Sequence, residues 1–141
     1  MPEITLIHHV AAKVEKIFPF FNEMDRFIAV HPVIYKSEMI EPGQYRLYEK
    51  LDLKLFKVSF SYTVRIEKSV ADQQVIMFSE IRKGVELRLK FDFQAKEGTT
   101  QIHETVTFNA PAIICPLFLK FLTKQHKLLI TNVASTLGGT Q

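Results

Sequence analysis

Several residue types are scarce in this sequence, and each shortage excludes something. Cys115 is the one cysteine in 141 residues, so no disulfide can form within the chain. Tryptophan is absent and 12 of the aromatic residues are Phe, which favours an apolar interior whose aromatic side chains carry few hydrogen-bonding groups. The longest uncharged stretch, residues 105–119, is shorter than the ~20 apolar residues that a membrane-spanning helix needs. We therefore expect no stable membrane insertion.

Charge is also limited, in amount and in placement. The net charge is +3, and residues 110–141 contain three lysines and no acidic residue, while acids and bases balance in the rest. A protein that binds nucleic acid concentrates many more cations along a groove or stripe, so we expect no nucleic-acid partner. The N-terminus lacks the basic and then apolar segments of a signal peptide, which favours a cytoplasmic protein.

Motifs that identify a reaction are missing as well. None of the histidines forms a pair spaced as H-x-x-x-H, which argues against a metal site. The sequence contains no G-x-S-x-G and no glycine-rich phosphate loop. We therefore expect no metal and no cofactor, and the function has to be inferred from the architecture.

The apolar pattern near the N-terminus predicts one strand and two short helices. Residues 4–10 are rich in β-branched side chains, which is typical of a strand. A helical stripe with i, i+3, i+4, i+7 spacing follows and meets Pro19, which should end or kink the helix. Asn22 can cap a second short helix, and Pro32 ends it by forcing the preceding residue out of helical geometry.

After Pro32 the apolar period changes to two, and it changes back near the C-terminus. Successive alternating runs separated by turn signals predict six further strands, which indicates an antiparallel sheet with one wetted face. Residues 112–136 then show a long helical pattern, with an apolar stripe on one side and lysines on the other. The fold class is therefore α+β. The stripe consists of Ile114, Phe118, Phe121, Leu122, Leu129 and Val133.

This order of elements resembles the START-like helix-grip superfamily, also called SRPBCC, over nearly the whole chain. The short helices end in "AVHP", the turn "EPGQYRLY" enters a long strand, and "GTTQIHETVTFNAP" leads into the last helix. The resemblance implies that residues 1–141 form one START-like ligand-binding domain. It further implies a seven-stranded curved antiparallel sheet that wraps the long C-terminal helix, two short helices after strand 1, and an apolar cavity between sheet and helix.

Two glutamates interrupt the apolar faces of the predicted strands. Glu49 shares a face with Leu51, and Glu104 shares one with Val106. A carboxylate in such surroundings must be paired, hydrogen-bonded or neutralised by a raised pKa. Each is therefore either a polar contact in the cavity or a residue that a bulge or strand end turns into solvent. In the cavity, each is also a candidate general acid or base.

His31 ends the second short helix, beside the expected cavity mouth, where it either donates a hydrogen bond to a ligand or is a solvated loop residue. His126 falls near the lysines of the last helix. Taken together, the pattern and the resemblance predict eleven ligand-binding residues. They are Phe27, His31, Glu49, Leu51, Phe60, Tyr62, Leu89, Phe91, Glu104, Phe118 and Phe121.

The leading hypothesis is that the protein binds a small hydrophobic ligand, such as a lipid, an aromatic or a polyketide-like molecule. The alternative is an enzyme of the polyketide cyclase or aromatase type, in which cavity carboxylates transfer protons. A third hypothesis is an interaction or structural role, with the cavity filled by the protein's own side chains. The fold alone does not decide among them, and the sequence identifies neither the ligand nor an oligomeric state.

Overall fold

The computed structural model describes residues 3–53 and 56–138, without the side chains of residues 52, 53, 56 and 82. Seven strands and four helices follow one another along this part of the chain. In chain order they are β1 (Glu3–Val10), α1 (Val14–Ile17), α2 (Pro19–Asn22), α3 (Met24–Val30), β2 (Ile34–Glu41), β3 (Gln44–Leu53), β4 (Phe56–Ser69), β5 (Gln74–Arg82), β6 (Val85–Lys96), β7 (Thr99–Asn109) and α4 (Cys115–Gly138).

The strands form one antiparallel sheet in the order β1-β7-β6-β5-β4-β3-β2. Hairpins join each consecutive pair of strands from β2 to β7. Strand β1 pairs with β7, at the edge of the sheet opposite β2. Alternate residues of each strand point to one face, called here the inner face, which α4 covers. On β6 this face carries Val85, Leu89, Phe91 and Phe93, all buried. The predicted alternation of the strands is therefore confirmed.

The segment after β1 contains three short helices where the sequence predicted two. Pro19 does break the first helix, but it also begins α2, since a proline at the first helical position has no N–H that needs a partner. Asn22 is then the last residue of α2, so the expected cap at Asn22 is wrong. Glu23 is the N-cap of α3, and its side chain makes no capping hydrogen bond. The end of α3 at Val30 agrees with the effect expected of Pro32.

Aromatic side chains at the junction of α1 and α2 and within α2 pack against one end of the inner face. Phe18 lies 5.2 Å from Phe93, and Phe21 lies 5.0 Å from Phe91, between ring centroids. All four rings are nearly inaccessible to solvent. This region, together with the neighbouring inner residues of β7 and β1, is called the packed half below. It fixes α1 and α2 over β6 and leaves the inner face of β3–β5 to α3 and α4.

Helix α4 is the longest element, with 24 residues. It begins at Cys115, three residues later than the apolar pattern predicts, because Pro111 to Ile114 form a turn that precedes it. Its buried side chains include Leu122, Leu129 and Val133 from the predicted stripe. In the described part of the chain, no helix is long and apolar enough to cross a membrane.

Candidate ligand cavity and the buried glutamate beside it

A cavity of about 540 Å³ lies between α4 and the inner face of β3–β6, and the end of α3 borders it. Small-molecule sites in proteins typically occupy about 300–1,000 Å³, so this volume falls within their range. Most of the wall is apolar. The lining residues are Phe27, His31, Val33, Ile34, Leu47, Glu49, Leu51, Val58, Phe60, Ser61, Tyr62, Val64, Met77, Ser79, Ile81, Val85, Leu87, Leu89, Phe108, Ile114, Phe118, Phe121, Leu122, Gln125 and His126.

One end of the cavity is closed by aromatic and aliphatic side chains. Phe108 of β7 and Phe118 of α4 stack face to face, with ring centroids 3.9 Å apart and planes 8° apart. Val85 packs with Phe108 and Cys115 in the same small cluster. This end offers a ligand dispersion contacts and apolar surface, and no charged group belongs to the cluster.

Polar side chains gather where α3, β3, β4 and the middle of α4 meet. His31, Glu49, Tyr62 and His126 line the cavity there and are called the polar cluster. The rings of His31 and His126 lie 6.5 Å apart, edge to face. Glu49 interacts electrostatically with both Tyr62 and His126. The cavity therefore has a polar region in a mostly apolar wall, which is typical of small-molecule sites.

His31 is held by the backbone that follows it. Its Nδ1 accepts hydrogen bonds from the backbone N–H groups of Val33 at 3.2 Å and Ile34 at 3.0 Å. An imidazole that accepts at Nδ1 carries its proton on Nε2. Burial, and secondly the nearby His126, lower the pKa of His31 from 6.5 to about 3. His31 is therefore neutral at physiological pH and offers an N–H donor at Nε2.

Glu49 and Tyr62 influence one another across β3 and β4. Burial raises the pKa of Glu49, although a hydrogen bond with Tyr62 and the proximity of His126 partly oppose the effect. Burial also raises the pKa of the Tyr62 hydroxyl, and the charge and hydrogen bond of Glu49 add to it. Tyr62 therefore stays un-ionised, and Glu49 holds its proton to a higher pH than an exposed glutamate does.

Glu104 lies outside the cavity wall, between two histidines. Its Oε1 is 2.9 Å from Nε2 of His8 on β1, and its Oε2 pairs with Nδ1 of His126 on α4. Burial by itself raises the pKa of Glu104, but the charge and hydrogen bond of His126 and those of His8 outweigh it. The pKa falls from 4.5 to about 2, so Glu104 is a buried carboxylate that joins β1, β7 and α4.

Comparison with known proteins rests on structure, since no protein-family model and no curated protein matches the chain. A START superfamily protein from Mycobacterium smegmatis superposes with a TM-score of 0.77 at 13% identity, over 99% of each chain. The Zhui aromatase/cyclase from Streptomyces sp. R1128 gives 0.77 at 12% identity, over 96% of this chain and 92% of that one. This chain has the START-like helix-grip fold.

A third similar structure is the di-domain ARO/CYC BexL from the BE-7585A biosynthetic pathway. Its TM-score is 0.79 at 16% identity, over 94% of this chain and 46% of that one, so this chain spans about half its length. The resemblance deduced from the element order is thus confirmed at the level of fold. At these identities, the START-like fold is what the similarity establishes, and function has to come from the site.

Within the START-like fold, nine of the eleven predicted ligand-binding residues lie on the cavity wall. Phe91 and Glu104 do not. Phe91 has 0% exposure because Phe21 and His126 cover its ring. Glu104 also has 0% exposure, and both its oxygens are taken by histidines. Both residues do face inward as the alternation predicted, but they are buried among packed side chains outside the cavity wall. The placement of Phe91 and Glu104 in the cavity is therefore corrected.

His126 is a residue whose position the sequence analysis missed. His126 is buried, whereas Lys124 and Lys127 on the same helix are exposed. The signal was present, because His126 stands at i+4 from Leu122 and at i−3 from Leu129 on the apolar stripe. Gln125, its neighbour, also lines the cavity, and its buried Oε1 has no hydrogen-bond partner in the part of the chain that the structure describes. No group of three metal-ligating side chains suited to an ion occurs among the described residues.

Proposed function

We propose that this protein binds a small, mostly apolar molecule in the cavity between α4 and β3–β6. The observation that supports the proposal is the cavity itself, about 540 Å³ with a largely apolar wall. Protein interiors are normally close-packed and contain few voids larger than a water molecule. A cavity of this size beside a fully packed region fits a ligand site better than a core filled by its own side chains.

The wall favours a ligand with one polar end. Phe108, Phe118 and their neighbours would contact the apolar part of a ligand. The polar cluster would offer its polar end the N–H of His31 and the hydroxyl of Tyr62. The buried Oε1 of Gln125 has no hydrogen-bond partner among the described residues, and a bound donor there would satisfy it. An aromatic alcohol, a sterol-like molecule or a polyketide-like compound has this distribution of polarity.

Displacement of an environment-sensitive naphthalene dye by a panel of apolar compounds tests the proposal. The native protein should bind the dye saturably and release it to ligands that fit. Ser79→Phe, which fills the cavity from β5, should abolish binding, whereas Ser59→Phe on the exposed outer face of β4 should leave it unchanged. Absence of saturable binding across the panel contradicts the proposal.

A second candidate is an enzyme of the cyclase or aromatase type, and the position of His126 favours it. The carboxylate of Glu104 holds Nδ1 of His126 while the ring of His126 lines the cavity. A carboxylate that orients an imidazole in this way prepares Nε2 to accept a proton. Glu49, with its raised pKa, is a matching proton donor on the same wall.

Proton exchange separates this candidate from simple binding. A naphthyl 1,3-diketone bound in D₂O should exchange its methylene protons faster than in buffer if His126 acts as a base. His126→Gln should remove the acceleration and retain binding of the dye. Exchange at the buffer rate in the native protein, with the diketone demonstrably bound, rules the enzyme out for this class of substrate.

A further inference from the structure

The cavity wall has no fixed positive charge in the part of the chain that the structure describes. Among the 25 lining residues there is no lysine and no arginine, although the chain contains 18 of them. Glu49 is the one carboxylate on this described wall. A site for a carboxylate or phosphate would present an ammonium or guanidinium group to it.

The two histidines of the wall do not replace such a cation. Nδ1 of His31 accepts two backbone N–H groups, so it has no lone pair left for a second proton. The lowered pKa of His31 agrees with this geometry. Nδ1 of His126 is already paired with the buried carboxylate of Glu104, so this imidazole has a counter-ion within the protein. The remaining polar groups of the cluster, Glu49 and Tyr62, are acids and are neutral or negative in either state.

We infer that the ligand's polar end is an uncharged oxygen group, a hydroxyl or a carbonyl, and that carboxylates and phosphates are excluded from this cavity. The inference rests on the proposed binding function and narrows it to a class of ligand. A neutral hydroxyl or carbonyl can exchange hydrogen bonds with His31, Tyr62 and Glu49. An anion in the same place would lose its hydration without gaining a counter-charge from a lysine or arginine of the described wall.

Two ligands of the same shape test the inference at about pH 7.5, where one is neutral and the other ionised. They are 2-naphthol and 2-naphthoate, titrated calorimetrically into the native protein. We expect naphthol to bind about a hundredfold more tightly than naphthoate, or more, because burial of an unpaired carboxylate is unfavourable. The preference should shrink as the pH falls and naphthoate becomes naphthoic acid.

A charge change at the polar cluster should reverse the preference. Glu49→Lys places a cation on the wall and should bring naphthoate to at least the affinity of naphthol. Glu49→Gln, the matched control, removes the negative charge without adding a positive one, so naphthol should remain preferred. Circular dichroism and thermal melting establish that both variants are folded.

Each contrary result has a distinct meaning. Naphthoate that binds the native protein as tightly as naphthol, or more tightly, overturns the inference and leaves the proposed binding function intact. No saturable binding of either compound overturns the binding function itself. A Glu49→Lys protein that keeps the full preference for naphthol shows that Glu49 is not at the ligand's polar end, which also overturns the inference.

Discussion

The two halves of the inner face are built from the same sheet and differ in what covers them. In the packed half, Phe18 between α1 and α2 and Phe21 of α2 pack against Phe91 and Phe93, and all four rings are buried. The rest of the inner face, called here the cavity half, consists of the cavity-lining residues of β3–β6, which face α4 across about 540 Å³ of open space. The inner side chains of β5 show the change within one strand, since Val75 has 0% exposure while Ser79 lines the cavity.

The difference also separates two glutamates that look alike in the sequence. Glu104 lies beside the packed half and is ionised between two histidines. Glu49 lies in the cavity half, where burial raises its pKa. One carboxylate therefore joins three elements, and the other lines the cavity that we propose as the ligand site. Inward-facing parity is therefore not enough to assign a polar residue to a site, because the partners of that residue determine its role.

The largest expected effect comes from removing an aromatic ring from the packed half. Phe21→Ala should lower the free energy of unfolding by about 3–5 kcal/mol, because it leaves a cavity among Phe27, Phe91 and Phe93. Phe60→Ala in the cavity half should cost about 1 kcal/mol, since Phe60 is already half-exposed to the cavity. Urea unfolding measures both, and equal losses would contradict the division of the inner face.

The two glutamates should respond oppositely to the same substitution. Glu104→Gln should destabilise by about 2–4 kcal/mol, because an amide offers one acceptor oxygen where the carboxylate serves both His8 and His126. Glu49→Gln should be neutral or slightly stabilising at pH 7, since the amide removes a carboxylate that burial disfavours. Marked destabilisation by Glu49→Gln would mean that Glu49 is ionised and structurally paired.

Stability should decrease on acidification, in two ranges that belong to different residues. The pKa of His31 is lowered to about 3 in the folded protein, so the unfolded chain binds a proton first as pH falls below ~6.5. The pKa of Glu104 is lowered to about 2, and its contribution is lost as pH falls from ~4.5 towards 2. Glu49 acts with the opposite sign, since its raised pKa favours the folded state at low pH.

Substitution of His31 isolates the first range. His31→Gln keeps an acceptor for the backbone N–H groups of Val33 and Ile34 but does not titrate. Between pH 6.5 and 5, the native protein should lose roughly 1 kcal/mol per pH unit more than the variant. Urea unfolding at several pH values gives the slopes, and parallel curves would show that His31 is not buried in its neutral form.

The smallest effect is expected from filling the cavity. Ser79→Leu should change the free energy of unfolding by less than about 1 kcal/mol, because open space receives the larger side chain. Val75→Leu on the same strand should cost about 1–3 kcal/mol, since Val75 is fully enclosed. If both substitutions cost the same, β5 does not pass from a packed region to an open one.

The sequence predicted the architecture well because alternation and helical spacing are local signals. The strands from β2 to β7, the breaks at Pro19 and Pro32 and the apolar stripe of α4 all follow from residues a few positions apart. The sequence pattern did not predict helix α2, because a proline that ends one helix can begin the next.

The site was predictable only in part, because its chemistry depends on contacts between distant residues. Parity placed Glu49 and Tyr62 inward, and both line the cavity. Parity could not show that Glu104 meets His8, 96 positions away, and His126, 22 positions away. The position of His126 on the stripe of α4 was predictable from the sequence. The contact of Glu104 with His8 depends on the register of β1 and β7, and its contact with His126 depends on how α4 packs against β7.

The most direct test of the divided inner face is a crystal structure of the protein with 6-bromo-2-naphthol. We predict that the anomalous signal of bromine lies between α4 and the inner face of β3–β6. The naphthol hydroxyl should lie within hydrogen-bonding distance of His31, Glu49 or Tyr62, and the packed half should be unchanged. A structure in which side chains from α4 and β3–β5 fill this space, with the compound bound elsewhere or not at all, would contradict the account.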